Sequence, residues 1–319
     1  MHPAKSVILF TTASGAGYGL IAWLGVLAAL GMVPAERWLG VASFGLGLGL
    51  VVLGLLSSTF HLGHPERAWR ALSQWRSSWL SREGVAAVVT FLPVGLFALL
   101  WVVVQTNSGA AAAIGLLASL CCAVTVACTA MIYASLRTIR AWCNPWTLSA
   151  YLALSAFSGA LLVNLLLQLW GLPLARPFGW VVLALAVLAA AIKLAYWRHL
   201  AADAGASTAE SATGLGGAGS SGRVLLLEAP HSESNYLLQE MGFRIARKHA
   251  AKLRRIALAA GFLLPFALVA LGQLLAGPAG PLAAVGAVAL VAVGLAVERW
   301  LFFAEAKHVV TLYYGETRA

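Results

Sequence analysis

The feature that most constrains this sequence is a series of eight long apolar runs, at about residues 6–32, 38–61, 85–105, 110–135, 147–171, 178–198, 255–277 and 281–305. Each run is long enough to cross a bilayer as a helix, which takes ~20 mostly apolar residues. Apolar residues make up 61% of the chain and charged residues only 10%, against ~25% charged in soluble domains. The composition excludes soluble and disordered proteins and predicts an all-α integral membrane protein with eight transmembrane helices.

The basic residues are distributed unevenly among the loops between these runs. The loops after runs two, four and six are long and basic, and together with the termini they define the long-loop face; the other loops define the short-loop face. Of the 21 Lys and Arg residues, only Arg37 and Arg176 fall on the short-loop face, whereas 17 fall on the long-loop face. Since loops rich in Lys and Arg stay in the cytoplasm, the sequence predicts that both termini are cytoplasmic. No signal peptide is expected before the first run.

The loop between runs two and three collects residues that can handle protons. It begins at His61, continues through Arg67 and three tryptophans typical of the headgroup level, and ends at Glu83. Taken singly, His61 is explained as an interfacial histidine that caps the end of a helix or bonds to a carbonyl. Glu83 is explained as an acid in the first turn of the next helix, where the helix dipole favours it, and Ser81 is a candidate cap for that helix. Taken together, an imidazole and a carboxyl at one interface form a candidate pair for proton exchange.

Three ionisable residues lie inside apolar runs, where charge is costly. Glu298 and Arg299 are adjacent in the last run and point about 100° apart on a helix, so we expect them to bond to different helices. For Glu298 an interhelical ion pair is favoured, whereas Arg299 is equally suited to a polar head group. Lys193 is expected to extend to the interface. Small-residue ridges at Gly15/Gly19 and Gly45/Gly49 predict close helix packing.

The cysteine and histidine positions argue against a metal centre in this chain. Three of the four cysteines lie in run four, without a C-x-x-C pair, so a zinc or iron–sulfur site is not expected. No histidine lies in the middle of a run, so haem is open only at an interface. The glycines of SGAGYGL fail the dinucleotide-loop spacing at Leu20, and no nucleic-acid partner is expected.

The connection between runs six and seven divides the chain into three parts. Residues 1–198 hold helices one to six with the site loop 62–84, residues 199–253 form a cytoplasmic segment, and residues 254–319 hold the last two helices and the tail. The segment starts as a Gly/Ser-rich linker and ends as a basic amphipathic helix suited to anionic lipid. Because a polar run precedes that helix, we favour partner docking through His231, Asn235, Tyr236, Glu240, Arg244 and Arg247.

The stretch SSTFHLGHPERAWRALSQWRSSWLSREGV resembles the DmsC family, the membrane anchor subunits of dimethyl sulfoxide reductase-type molybdenum enzymes. The motif H-L-G-x-P-x-R-A runs from His61 to Ala68, and S-x-x-S-x-E ends at Glu83. The N-terminal HPAKSVILFTTASGAGYGL, the loop PHSESNYLLQEMGFRIARKHA and the terminal ERWLFFAEAKHVVTLYYG resemble that family too. The resemblance covers nearly the whole chain.

This resemblance implies partners and cofactors that composition alone does not give. It implies that the chain anchors a molybdopterin catalytic subunit and a second partner that holds four [4Fe-4S] clusters. It also implies a quinone site (ubiquinone or menaquinone) beside the docking face, without haem or an iron–sulfur cluster in the anchor. The family's quinol-site histidine and acidic residue match His61 and Glu83. We add Arg67 and Arg299 as candidates for binding a quinone oxygen.

The charge bias refines what the family resemblance implies. Dimethyl sulfoxide reductases of this type work on the periplasmic side, whereas the long-loop face is predicted to be cytoplasmic. This favours the branch called SoeC, which oxidises sulfite in the cytoplasm, and electron flow from sulfite to a quinone in a bacterial inner membrane. The alternatives are the anchor of another cytoplasm-facing molybdoenzyme, the anchor of a quinol-oxidising DMSO-type reductase, a passive scaffold anchor without a quinone site, and a transporter.

Overall fold

A computed structural model describes residues 3–60, 62, 64–202, 207–215, 224–228, 245–275 and 279–319, with the side chains of 245–248 excluded. The helices are α1 (Lys5–Ala29), α2 (Arg37–Thr59), α3 (Trp79–Val102), α4 (Ala110–Ala134), α5 (Pro145–Leu169), α6 (Ala175–Ala202), α7 (Ala209–Thr213), α8 (Ile245–Leu258), α9 (Leu264–Leu274) and α10 (Ala279–Ala304). Within these residues, eight helical stretches are long and apolar enough to cross a membrane: α1 to α6, the stretch His249–Leu274, and α10. The predicted eight-helix architecture is confirmed.

The seventh candidate span is a composite helix. The basic helix α8 continues through a π-helical turn, Ala259–Leu263, directly into α9. It therefore crosses the predicted boundary at residues 253–254 without a break. The amphipathic basic segment and the apolar span form one continuous element, which carries the Arg254 side chain from the long-loop face towards Glu305 at the end of α10.

The bundle is organised around α1 and α5, the two most buried of the candidate spans. Glycines bring their backbones close to neighbours: Gly19 of α1 faces Ser155 and Gly159 of α5, and Gly25 of α1 faces Gly115 of α4. Of the two predicted ridges, only Gly19 makes such a close approach. Gly15, Gly45 and Gly49 face open space, because in a bundle the neighbours, and not the four-residue spacing, decide which glycines form contacts.

The short-loop face is tied together by one acidic residue. Glu36 caps α2, and its carboxylate accepts hydrogen bonds from the backbone N–H groups of Trp38 at 2.9 Å and Leu39 at 2.5 Å. Trp170 at the end of α5 donates its indole N–H to the same carboxylate at 2.9 Å. Trp101 of α3 donates to the Glu36 carbonyl at 3.1 Å. This capping residue therefore joins α2, α3 and α5.

At the long-loop face an aromatic cluster closes the bundle. Tyr133 contacts Trp142, Phe302 and Phe303 with ring centroids 5.2–5.6 Å apart. The Trp142 indole donates to the Phe302 carbonyl at 2.8 Å, which fixes the loop between α4 and α5 on the end of α10. Edge-to-face ring pairs of this kind add stability beyond their buried area.

Candidate functional site

Glu83 is buried at the end of α3 that lies on the long-loop face. The helix begins at Trp79, and the hydroxyl of Ser78 accepts from the backbone N–H of Ser81 at 3.5 Å. The prediction that Ser81 caps the helix is therefore wrong, because the helix starts earlier and Ser81 itself is buried in its first turn. This start places Glu83 in the second turn, where the residue is only 5% exposed.

The carboxyl of Glu83 lies among neutral side chains. Its electrostatic neighbours are Tyr18 of α1 together with Cys128 and Tyr133 of α4. Its Oε1 atom is buried and has no hydrogen-bond partner among the described residues. A buried polar atom without a partner is costly to maintain and is a common feature of functional sites. This carboxyl is able to hold a proton or to bind a donor that approaches it.

A short segment at the membrane interface packs next to Glu83. The 3-10 helix Pro65–Gln74 has no buried residue, and its Leu72 side chain lies against Gly84 of α3, where a Cβ would come within 2.9 Å. Trp69 and Trp75 are exposed, and each has an arginine over its ring face. Exposed Trp and Arg side chains are typical of the headgroup level. The segment therefore covers the start of α3 at the level of the lipid head groups.

Arg82 fixes this segment to the helix. Its guanidinium donates to the Trp75 carbonyl at 2.9 Å and to the Arg76 carbonyl at 2.7 Å, and it lies 4.3 Å from the ring centroid of Trp79. These bonds turn Arg82 outward, whereas the following residue, Glu83, faces the bundle. Two adjacent charged residues thus have opposite roles, one closing the loop and the other supplying a buried carboxyl.

The other predicted site residues are dispersed. The Arg67 side chain is 57% exposed and lies 3.6 Å from the Glu66 carboxylate, a surface pair of small energetic value. His61 lies outside the described residues, between the exposed Phe60 and Leu62. The docking candidates His231, Asn235, Tyr236, Glu240 and Arg244 also lie outside them, and Arg247 is described only by its backbone in α8.

Arg299 belongs to an ion cluster inside the bundle. Glu298 contacts the Lys193 ammonium of α6, and its other oxygen lies 3.2 Å from Arg299 Nε. The guanidinium stacks over the Tyr151 ring of α5 at 3.8 Å. Glu298 and Arg299 therefore contact different helices, as predicted, and also each other.

The predicted extension of Lys193 to the interface is wrong, because its side chain is only 1% exposed. Helix α6 continues to Ala202, which leaves Lys193 more than two turns inside the helix.

Three tyrosines that the sequence reasoning missed link these sites. Tyr18 and Tyr133 are neighbours of Glu83, and Tyr133 is also an electrostatic neighbour of Arg299. Tyr18, Tyr151 and Arg299 line one small cavity. Within the described residues, no group of three or more His, Cys, Asp or Glu side chains is placed to hold a metal ion. The available signal was the presence of tyrosine hydroxyls inside otherwise apolar runs.

Comparison with known proteins agrees with this architecture. Residues 1–214 match the family model described as the DMSO reductase anchor subunit, DmsC. The C subunit of the sulfite dehydrogenase of Allochromatium vinosum is 34% identical over 337 aligned residues, which cover 98% of this chain and 99% of that protein. The C polypeptide of the anaerobic dimethyl sulfoxide reductase of Escherichia coli K12 is 30% identical over 138 residues, covering 43% of this chain and 47% of that one. The chain therefore belongs to the DmsC family of membrane anchor subunits.

Proposed function

We propose that this chain is the quinone-reactive membrane anchor of a molybdopterin and iron–sulfur oxidoreductase, and that it passes electrons between a membrane quinone and the iron–sulfur subunit. The observation that supports this most directly is the buried, unpartnered carboxyl oxygen of Glu83. A structural carboxylate in a bundle is normally ion-paired, as Glu298 is, whereas Glu83 has no such pair among the described residues. Exposed tryptophans typical of the headgroup level lie beside the start of α3, and in this proposal a quinone ring enters there from the lipid.

In this proposal the protein's own residues hold and move protons at the interface. A bound quinone supplies two-electron redox chemistry. Glu83 holds a proton at its unpartnered oxygen, and His61, at the other end of the same loop, exchanges protons with the aqueous face. Arg67 is exposed beside Glu66. In this proposal it donates hydrogen bonds to a quinone oxygen as the ring enters from the lipid, and it stabilises negative charge on that oxygen. The described contacts of Arg299 are with Glu298 and with the rings of Tyr151 and Phe302, so we assign it a separate role.

The proposal also includes the orientation of the protein in the membrane and the direction of electron flow. The 17 basic residues of the long-loop face favour its placement in the cytoplasm of a bacterium, with the protein in the inner membrane. The molybdopterin and four-cluster subunits then dock on that face, through residues between His231 and Arg247. The near full-length similarity to a sulfite dehydrogenase subunit favours electron flow from sulfite to quinone, with protons drawn from the cytoplasm. A quinol-oxidising reductase and a passive anchor are the competing functions.

The test compares quinone-linked and dye-linked activity in the purified complex. We expect Glu83→Gln and His61→Ala to lower quinone-linked turnover by about 100-fold, in the range typical of a lost acid–base group. Dye-linked activity, which needs only the partner subunits, should stay unchanged. Glu66→Gln is the matched control, because it neutralises an exposed acid in the same loop and should change turnover less than about twofold.

Two results would contradict the proposal. One is full quinone-linked turnover in Glu83→Gln, and the other is an equal loss of both activities in Glu83→Gln and His61→Ala. A complex that contains no extractable quinone and does not respond to quinone analogues would support the passive anchor. Reduction of added ubiquinone or menaquinone by sulfite, or its absence, would decide the direction of electron flow and the substrate.

A further inference from the structure

A small, partly open cavity lies between α1, α4, α5 and α10. Its volume is about 20 Å³, which is enough for one water molecule or for one ion of similar size. Three polar groups line it and are buried, with no hydrogen bond donated to another described residue: the hydroxyls of Tyr18 and Tyr151, and Nη1 of Arg299. The Tyr151 hydroxyl also interacts with the Arg299 guanidinium as an acceptor, which leaves its own O–H unused. Each of these three residues is at most 4% exposed. Three unused donors from three different helices thus meet at one space.

The other hydroxyls of the cavity wall are already bonded to the backbone. Each donates to a carbonyl oxygen, with Thr11, Ser14 and Ser158 donating to Val7, Phe10 and Leu154 at 2.6–2.9 Å. Thr12, Thr129 and Ser155 do the same. The remaining donor capacity therefore belongs to the two tyrosines and the arginine. Any ligand of this cavity has to accept hydrogen bonds from these three groups.

The charges around the cavity distinguish between a neutral and a negative ligand. The ion cluster contains two cations, Lys193 and Arg299, and one carboxylate, Glu298. Burial disfavours the ammonium form of Lys193, whereas the contact with Glu298 and the ring faces of Tyr196 and Trp197, with centroids at 3.9 and 5.2 Å, favour it. An arginine stays protonated in proteins. With Lys193 as ammonium, the cluster carries one positive charge in excess.

Two further carboxyls lie within electrostatic reach of this region. Glu305 interacts with Lys193 but is paired with Arg254 at 2.9 Å, so that pair adds no net charge. Glu83 interacts with Tyr18 and Tyr133, whereas the ion pairs of Lys193 and Arg299 are with Glu298. Excess charge in an apolar bundle is costly, and a water molecule does not neutralise it.

We propose that this cavity binds a small monovalent anion, such as chloride, between Tyr18, Tyr151 and Arg299. The anion neutralises the Lys193–Glu298–Arg299 cluster and accepts the three unused hydrogen bonds. It thereby joins α1 and α5 to α10. This site does not depend on the quinone proposal, because none of its three ligands is Glu83, His61 or Arg67.

The experiment measures thermal unfolding of the purified complex in sodium chloride and in sodium gluconate at equal ionic strength. We expect chloride alone to raise the unfolding midpoint of the anchor, saturably and by about 2–4 °C. Arg299→Gln should abolish the chloride dependence. Tyr18→Phe and Tyr151→Phe each remove one donor and should raise the half-saturating chloride concentration by about tenfold.

Tyr196→Phe is the matched control, because its hydroxyl donates to the Ala141 carbonyl at 3.0 Å, away from the cavity. It should lower the midpoint and leave the half-saturating concentration unchanged. Superimposed chloride and gluconate curves for the unmodified protein would overturn the proposal and indicate that the cavity holds water. The same conclusion would follow if both cavity tyrosine variants responded to chloride like Tyr196→Phe, whether or not Arg299→Gln folds.

Discussion

Two buried carboxylates near the long-loop face have opposite surroundings. Glu298 in α10 lies between two cations, Lys193 and Arg299. Glu83 in α3 has neutral neighbours, and its Oε1 atom has no partner among the described residues. Both residues are at most 5% exposed, so burial alone does not separate them. The difference lies in which charges the neighbouring helices present.

The difference indicates which of the two carboxylates is structural. A paired carboxylate that is removed leaves its partners charged and buried, which is strongly destabilising. An unpaired carboxyl neutralises no buried cation. A reason other than stability therefore has to explain why the chain carries a carboxyl at this position. We therefore expect the bundle to depend on Glu298 for its folding and the complex to depend on Glu83 for its reaction.

The largest expected effect on stability is that of Glu298→Gln. This change leaves two buried cations without a carboxylate, so we expect a loss of about 3–5 kcal/mol in the free energy of unfolding. Denaturant titration in mixed detergent micelles measures it. Glu305→Gln is the control, because its partner Arg254 is partly exposed, and it should cost at most about 1 kcal/mol. Equal losses in the two variants would contradict a special role for the buried cluster.

A smaller effect is expected for the same change at the other carboxylate. Glu83→Gln keeps the shape of the side chain and leaves no cation without its partner. We therefore expect the free energy of unfolding to change by less than about 1 kcal/mol. The same titration provides the measurement. If the loss matched that of Glu298→Gln, Glu83 would have a cationic partner in the assembled protein, and the contrast between the two residues would fail.

The sequence was sufficient to predict the architecture because apolar run length is a local property. Eight runs predicted eight helices, and the helices are present. Whether an ionisable residue inside a run would be buried was harder to predict. Lys193 was placed at the interface because its run was thought to end near residue 198, whereas α6 continues to Ala202. An error of a few residues in a boundary thus moved a buried cation to the surface.

The site itself was only partly accessible from the sequence. Glu83 stood out because a carboxyl beside an apolar run is rare, but its lack of a partner depends on α1 and α4, which are distant in sequence. Tyr18 and Tyr151 were missed because tyrosines count as apolar in a run, and nothing local shows that their hydroxyls meet at one cavity. Contacts between helices determine these features, and spacing along one helix does not reveal them.

The smallest effect concerns Glu36, a carboxylate on the short-loop face that is bonded to N–H groups rather than to cations. Hydrogen bonds from the backbone N–H of Trp38, then of Leu39, hold the pKa of this carboxyl below its ordinary range, with a smaller contribution from the Trp170 indole. A lowered pKa means that Glu36 stabilises the fold above the pKa of the unfolded chain. That contribution is lost as the pH falls through the folded pKa.

We therefore expect Glu36→Gln to remove the part of the acid-induced decrease in the unfolding midpoint that comes from this residue. Trp170→Phe should reduce the same contribution only slightly, because the two backbone donors remain. Thermal unfolding followed from neutral to acidic pH measures both. Glu298→Gln should instead lower the midpoint at neutral pH, because its loss leaves two cations unpaired. If Glu36→Gln preserved the full acid-induced decrease, other carboxyls would account for it, and Glu36 would act only as a helix cap.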